Sequence, residues 1–216
     1  MEDNKPNLLH FEDRALCSSK QPLKYYTDFA ETYNQDCEKL VTSSPAKTAS
    51  IVAGNVSEHL RANVRILDVG AGTGLVAVEL RNLGFKHIDA LDQSEAMLSI
   101  AKASDLYENY IVDYITESPS ATPSDSYDVI TGCKIYADEG HVPCNALVEM
   151  IRLVKPGGLV VLSSQQCAIQ NIDEYKGLEP LMNKLEAEGK WKKLSCEIVP
   201  NFYAGKDGVA WCYQVF

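Results

Sequence analysis

Ile66-Leu67-Asp68-Val69-Gly70-Ala71-Gly72-Thr73-Gly74 decides how the rest of the chain is read. A short apolar run meets a helical pattern, Leu75 to Leu83, through three alternating glycines. That is a buried strand entering a helix by a tight turn. Glycine removes side chains where a ligand must approach, and the helix start presents backbone N–H groups and positive potential. In an open parallel sheet such a first turn is also where ligands bind. Two frames compete. From Gly70 the dinucleotide pattern G-x-G-x-x-G fails at Leu75; from Gly72, G-x-G-x-x-A fits through Gly74 and Ala77. The Gly72 frame would leave Asp68 and Gly70 inside the buried strand, where an uncompensated carboxylate is costly. The Gly70 frame puts Asp68 at the strand's carboxyl end beside the ligand. We adopt it, with a dinucleotide-dependent dehydrogenase as runner-up.

Outward from this turn, short apolar runs alternate with helical segments, as βαβ units do. Strands are expected at Arg65 to Val69, His87 to Leu91, Tyr107 to Val112, Tyr127 to Thr131 and Leu159 to Ser163. Between them fall helices at Leu75 to Leu83, Ser94 to Ala103 (capped by Ser94) and Pro143 to Val154, the last stopped by Pro156-Gly157-Gly158. Ser118 to Ser126 reads as a loop. Pro180 to Glu188 is helical, and Trp191 to Val199 with Gly208 to Phe216 forms a closing hairpin. Upstream, Leu23, Tyr26, Phe29, Ala30, Tyr33, Cys37 and Leu40 recur at helical steps. Ser44 and Pro45 then open a second helix carrying Ala49, Val52, Val56 and Leu60. The chain reads as one α/β domain, 1–216, with residues 1–62 as a helical cap and 63–216 as the core.

Acids mark the next strand ends. Asp92 ends the second strand, where it can accept both hydroxyls of a ribose, and Asp113 ends the third, placed to accept from an adenine amino group. Each alone could be a turn or capping residue. Together, beside a glycine-rich turn, they describe an adenosine site.

Composition narrows the partners. The 216 residues carry 20 Lys and Arg against 30 Asp and Glu, a net charge of −10, with 45% hydrophobic residues. An acidic surface repels polyanions, and Lys192-Lys193 is the longest basic run, so neither nucleic acid nor an anionic membrane surface is expected. No apolar run approaches the roughly 20 residues of a membrane span, and Met1 to Pro6 lacks a secretory start, so a cytoplasmic protein is expected. Seven cysteines without a C-x-x-C pair read as buried thiols. Histidines 10, 59, 87 and 141 lack ligand spacing, so no metal is expected.

Asp68-Val69-Gly70-Ala71-Gly72-Thr73-Gly74 resembles the first motif of the class I S-adenosylmethionine-dependent methyltransferases. Leu91-Asp92-Gln93-Ser94 with Ala96-Met97-Leu98 is similar to the second, Tyr127-Asp128-Val129-Ile130 to the fourth strand, and Leu153 to Leu159 to the turn before the fifth. Tyr26, Phe29-Ala30 and Tyr33-Asn34 resemble a segment that closes over the cofactor, with Asn34 replacing the usual acid. Gly140-His141-Val142-Pro143-Cys144 looks most like the methyltransferase-like branch named for the Williams-Beuren syndrome chromosomal region. The resemblance implies a doubly wound, mostly parallel seven-stranded Rossmann-like sheet with an antiparallel C-terminal strand and an N-terminal helical cap. It implies S-adenosylmethionine as cofactor and S-adenosylhomocysteine as product. The implied cofactor residues are Tyr26, Tyr33, Asp68, Gly70, Gly72, Asp92, Gln93, Met97, Asp113, Tyr114 and Cys133.

A sulfonium methyl is already activated, so such an enzyme mainly aligns nucleophile, methyl carbon and leaving sulfur. A base matters only for a hydroxyl or a protonated amine. The acceptor is expected after the fourth strand, at residues 132–141, under the first helix, whose aromatic stripe would act as a lid. His141 is the candidate base, since it is the only group of that loop that titrates near neutral pH, although it could equally be a plain loop histidine. Tyr136 could line the pocket or the core. The turn Thr131-Gly132-Cys133-Lys134 is not the Asn/Asp-Pro-Pro-Tyr/Phe motif of adenine-amino methyltransferases. A small molecule is therefore the expected acceptor of an O- or N-directed transfer. Alternatives are a protein substrate, metalloid binding through Cys133 and Cys167, or a non-catalytic cofactor-binding partner subunit.

Overall fold

A computed structural model describes residues 22–40, 42–137 and 140–216. The readings on Met1 to Pro6, His10, Cys17, Asp138 and Glu139 lie outside the described residues. The strands are β1 (Arg65–Val69), β2 (His87–Asp92), β3 (Tyr110–Val112), β4 (Tyr127–Cys133), β5 (Val154–Gln165), β6 (Trp191–Tyr203) and β7 (Lys206–Val215). They form one sheet in the order β3-β2-β1-β4-β5-β7-β6. β1 to β5 pair in parallel, and β7 is antiparallel to both neighbours. Strand order reverses at β1, so the glycine turn after Val69 sits at the switch point. This is the architecture expected from the sequence.

Helices cover both faces: α1 (Pro22–Lys39), α2 (Ser44–Asn55), α3 (Leu75–Asn82), α4 (Glu95–Ala103), α5 (Leu147–Leu153), α6 (Gln166–Asn171) and α7 (Leu178–Ala187). Central strands are therefore apolar on successive residues. Ile66 packs into one core with Val129, Val161, Leu80 and Phe85. Its neighbour Leu67 packs into the opposite core with Ile130, Tyr136, Trp191 and Trp211. Among the described residues, no helix is long and apolar enough to cross a membrane.

Several boundaries move. α2 stops at Asn55, because Gly54 and Asn55 are poor helix formers. Val56 is extended and Leu60, 48% exposed, sits in a 3-10 turn, Glu58–Asn63, rather than on the helix. Ser43, not Ser44, is the N-cap, and Ser44 is buried against Thr42. β3 loses Tyr107 to Asn109, since Tyr107 turns inward and hydrogen bonds beneath the glycine loop. The helix expected at Pro143 to Val154 divides into a 3-10 turn, Cys144–Ala146, and α5.

β5 begins at Val154 rather than Leu159. Tyr127 pairs with Val154 and Val129 with Leu159, so Pro156-Gly157-Gly158 becomes a bulge within the strand instead of a break before it. The hairpin reaches past the expected pair Val199 and Gly208 to Tyr203 and Lys206. Ala204 and Gly205, both at positive φ (49° and 72°), close it as a two-residue turn. That extension carries Tyr203 to the carboxyl ends of the parallel strands.

Candidate active site

The carboxyl ends of β1 to β5 open into one cleft. Its floor is the glycine loop. Gly70 N–H donates to the Leu91 carbonyl at 2.8 Å and Gly72 N–H to Asp92 Oδ2 at 2.8 Å. Gly72, at φ +55°, has nothing within 4 Å of where a Cβ would stand, so its open side faces the cleft. Asp92 is pinned from two directions, since Oδ1 accepts from Ser94 N–H at 2.8 Å. Burial raises its pKa, and the bonds from Ser94 and Gly72 work against that rise. Each carboxylate oxygen keeps further acceptor capacity. Beyond Asp92, Ser94 caps α4 by accepting from Met97 N–H at 3.3 Å, which fixes Met97 against the cleft.

Tyr26, Tyr33, Gly70, Gly72, Asp92, Gln93, Met97, Asp113, Tyr114, Cys133 and His141 all line this cleft. Asp68 does not. It lies behind the loop, 1% exposed, accepting from the Tyr107 hydroxyl at 2.7 Å and the Thr131 hydroxyl at 2.8 Å. Tyr136 belongs to the core, at 0% exposure. Lys134 lines the cleft too, and Gln165 and Tyr203 line it without having been anticipated. Lys134 stood in the turn read as the acceptor loop; Gln165 was hidden by the underestimated length of β5; Tyr203 carried no sequence signal.

Asp68 has a measurable consequence. Burial raises its pKa to about 6, opposed by the Tyr107 and Thr131 hydroxyls and assisted by Asp92. The fold therefore favours the neutral carboxyl. That stabilisation is fully present below the unfolded value near 4 and is lost as pH rises through 6. At about 1.4 kcal/mol per unit, the loss is roughly 3 kcal/mol. Asp68→Asn, which cannot ionise, is expected to gain about that much relative to wild type between pH 4 and pH 8 in urea denaturation. A constant difference across this range would show that Asp68 is ionised in the fold throughout.

The α1 side is tied down by Thr73, whose hydroxyl donates to Asn34 Oδ1 at 2.5 Å. Tyr26 meets Tyr33 edge-on at 6.0 Å and His141 at 5.3 Å. Phe29, in contrast, is 40% exposed, so the expected aromatic stripe divides between cleft and solvent. Tyr114 donates its hydroxyl to the His141 carbonyl and closes the far wall. His141 itself is 8% exposed. Burial drives its pKa down to about 4; a backbone bond to Lys134 opposes this and the Lys134 charge adds to it. The expected titration near neutrality is thus corrected: the imidazole is neutral throughout the physiological range. Burial raises the Cys133 thiol against the pull of Lys134 and the hydroxyls of Thr48, Ser163 and Ser44. A thiol held protonated is a poor start for a metalloid site.

Residues 66–158 match a family model described as a methyltransferase domain. Over 174 residues the chain is 33% identical to human methyltransferase-like protein 27, spanning 81% of this chain and 69% of that protein. The chain belongs to the class I S-adenosylmethionine-dependent methyltransferases. The ubiquinone biosynthesis O-methyltransferase of Nitrosococcus oceani is 39% identical over 108 residues, 48% of this methyltransferase and 44% of the relative. Among solved structures, an S-adenosylmethionine-dependent methyltransferase from Aquifex aeolicus superposes with TM-score 0.54 at 20% identity, covering 78% of this methyltransferase and 89% of that chain. The [4+2]-cyclase SpnF superposes with TM-score 0.57 at 19% identity, covering 79% and 80%. These two likenesses concern the fold alone. The cofactor of this methyltransferase is S-adenosylmethionine, and the glycine loop, the pinned Asp92 and the open face of Gly72 fit it.

Proposed function

We propose that this methyltransferase acts in the cytoplasm on a small molecule, methylating an oxygen or nitrogen nucleophile, and that 1–216 works as one domain with residues 1–62 as its lid. The observation that carries this reading is that one cleft brings the glycine loop and Asp92 together with an aromatic wall, the concave and largely apolar lining that small-molecule sites share. The cleft continues past the glycine loop into a space walled by Tyr26, Tyr33 and Tyr203. The ubiquinone O-methyltransferase relative favours oxygen as the nucleophile. The net charge of −10 works against a nucleic acid substrate. The kinship with the Williams-Beuren methyltransferase-like branch rests on residues 140–144 and belongs to this same reading.

In this reading Asp92 takes the ribose hydroxyls, Asp113 the adenine amino group, and Gln93, Met97 and Tyr114 flank the base. Tyr26 and Tyr33 close over the methionine end, with Gly70, Gly72 and Cys133 beneath it and Asp68 supporting the loop from behind through Tyr107 and Thr131. When bound, the cofactor supplies a methyl group on a positively charged sulfur. The protein's own task is alignment and exclusion of water, and such positioning can contribute on the order of 7–11 kcal/mol. His141, neutral and facing the cleft, can accept the acceptor's proton.

Incubation with S-adenosylmethionine and, separately, a metabolite extract, a protein extract and RNA is expected to release S-adenosylhomocysteine with the metabolite fraction. Mass spectrometry should find one metabolite heavier by a methylene. Methylation confined to the protein fraction would replace the small-molecule reading, and cofactor binding without release in any fraction would support a partner-subunit role.

His141→Gln is expected to lower kcat by about 10²-fold for a hydroxyl acceptor, at the low end for lost general-base catalysis, with cofactor Kd changed by less than about twofold. Because the imidazole titrates near 4, the wild-type acid limb should fall there, leaving the rate flat in this residue from pH 6 upward. Unchanged kcat would return His141 to a packing role.

A further inference from the structure

Lys134 follows β4 in the left-handed conformation, φ +60°, which a side-chain-bearing residue seldom adopts. Its N–H donates to the Ser163 carbonyl at 2.7 Å, so the backbone is locked from β5. Its Nζ donates to the Tyr33 hydroxyl at 3.1 Å and stands 4.2 Å from the Tyr203 ring centroid and 5.6 Å from that of Tyr33. Burial works against the charge on the ammonium, and the Tyr203 and Tyr33 ring faces with the Tyr33 hydroxyl favour it. Among the described residues no carboxylate forms an ion pair with it. Lysine carries three donors, and only one is engaged by Tyr33. A cation held in a cleft by aromatic faces, with no counter-charge among the described residues, is arranged for an anion from outside.

The sheet order says which anion. Asp92 and Asp113, at the ends of β2 and β3, lie on one side of the glycine loop. Lys134, Gln165 and Tyr203, at the ends of β4, β5 and β6, lie on the other. The adenosine half of the cofactor takes the first side, which leaves the second for the acceptor.

We propose that Lys134 binds a carboxylate of the methyl acceptor, so that the substrate is a small organic acid whose planar body packs against the Tyr33 and Tyr203 rings. This deepens the small-molecule reading and rests on it. The same ammonium could serve a second source of carboxylate, the amino-acid end of the cofactor itself, and the experiment separates the two.

Wild-type protein loaded with S-adenosylhomocysteine is titrated calorimetrically with benzoate and with benzamide, which share a ring and differ in charge. Acetate and acetamide form a smaller matched pair. At least one acid should bind about tenfold tighter than its amide, as a charge-assisted bond would give. The preference should vanish in Lys134→Met and return in Lys134→Arg. S-adenosylhomocysteine and 5′-methylthioadenosine, which lacks the amino-acid end, should bind Lys134→Met as they bind wild type. If neither acid is preferred over its amide in the wild type, the proposal is overturned, and that comparison needs no variant to fold. If Lys134→Met weakens S-adenosylhomocysteine about tenfold and leaves 5′-methylthioadenosine untouched, Lys134 serves the cofactor and the proposal is again overturned. Binding is scored without turnover, so a failure of small-molecule methylation would be seen separately in the extract assay.

Discussion

Asp92→Ala is expected to remove measurable S-adenosylmethionine binding at micromolar protein concentration. The carboxylate does two jobs. Its oxygens hold Gly72 N–H and Ser94 N–H, both at 2.8 Å, and so set the glycine loop and the start of α4. In the proposed reading they also present the remaining lone pairs to the ribose hydroxyls. Hydrogen bonds to a charged group are worth about 1.5–3 kcal/mol each, so losing two ribose bonds implies about 3–6 kcal/mol, or more than about 10²-fold in Kd. Asp92→Asn keeps one acceptor oxygen and should fall between. Calorimetry decides the matter, and unchanged affinity in Asp92→Ala would detach this residue from the ribose. The same titration with NAD should show no binding. NAD binding would restore the Gly72 frame and the dehydrogenase reading.

Gly74→Ala and Gly72→Ala should part company, although both glycines have positive φ. At Gly74, φ is +94°, and a Cβ would stand 2.5 Å from Leu106 Cδ1 and 3.2 Å from Tyr107 Cε2. The left-handed backbone costs about 1–2 kcal/mol for alanine, and overpacking adds about 1–3 kcal/mol. The variant should lose about 2–5 kcal/mol, a melting drop on the order of 10 °C for a chain of this size. At Gly72, φ is +55° and no atom lies within 4 Å. Only the backbone cost applies, about 1–2 kcal/mol and a few degrees. There the new methyl projects into the cleft, so the loss should appear as cofactor affinity reduced by about tenfold or more at nearly normal stability. Thermal melts with and without S-adenosylhomocysteine test both. Equal melting of the two variants would mean that Leu106 and Tyr107 yield easily.

The residues legible in the sequence were those whose role is fixed by backbone geometry. That the glycine loop, Asp92 and Asp113 line the cleft was readable because a parallel strand must end in a turn, and the turns at the switch point open on one crevice. Asp68 was misplaced by the same logic. It is the penultimate residue of β1, but the alternation of side chains sends it under the loop, where its carboxyl accepts from Tyr107 and Thr131 rather than from a ligand. Tyr107 itself read as a strand residue because its neighbours are apolar or aromatic. Nothing local shows that it bends inward to satisfy a carboxylate 39 positions earlier.

By itself the sequence determined the alternation of strands and helices and the place where the sheet order reverses, because period and glycine spacing act over a few residues and need no distant partner; the cofactor class came from the resemblance of those motifs to a family. Only the tertiary structure decided what faces that cofactor site from elsewhere. Tyr203 arrives from a hairpin whose bulge lengthens it past Pro200, Gln165 from a strand that runs longer than its apolar core, and Lys134 from a turn locked by Ser163. The same holds for chemical state. His141 looked like a base titrating near neutrality, and its burial beside the Lys134 charge makes it a neutral group with a pKa near 4. Desolvation and Coulomb terms depend on every atom packed around a group, and that packing is fixed by residues far away in the chain.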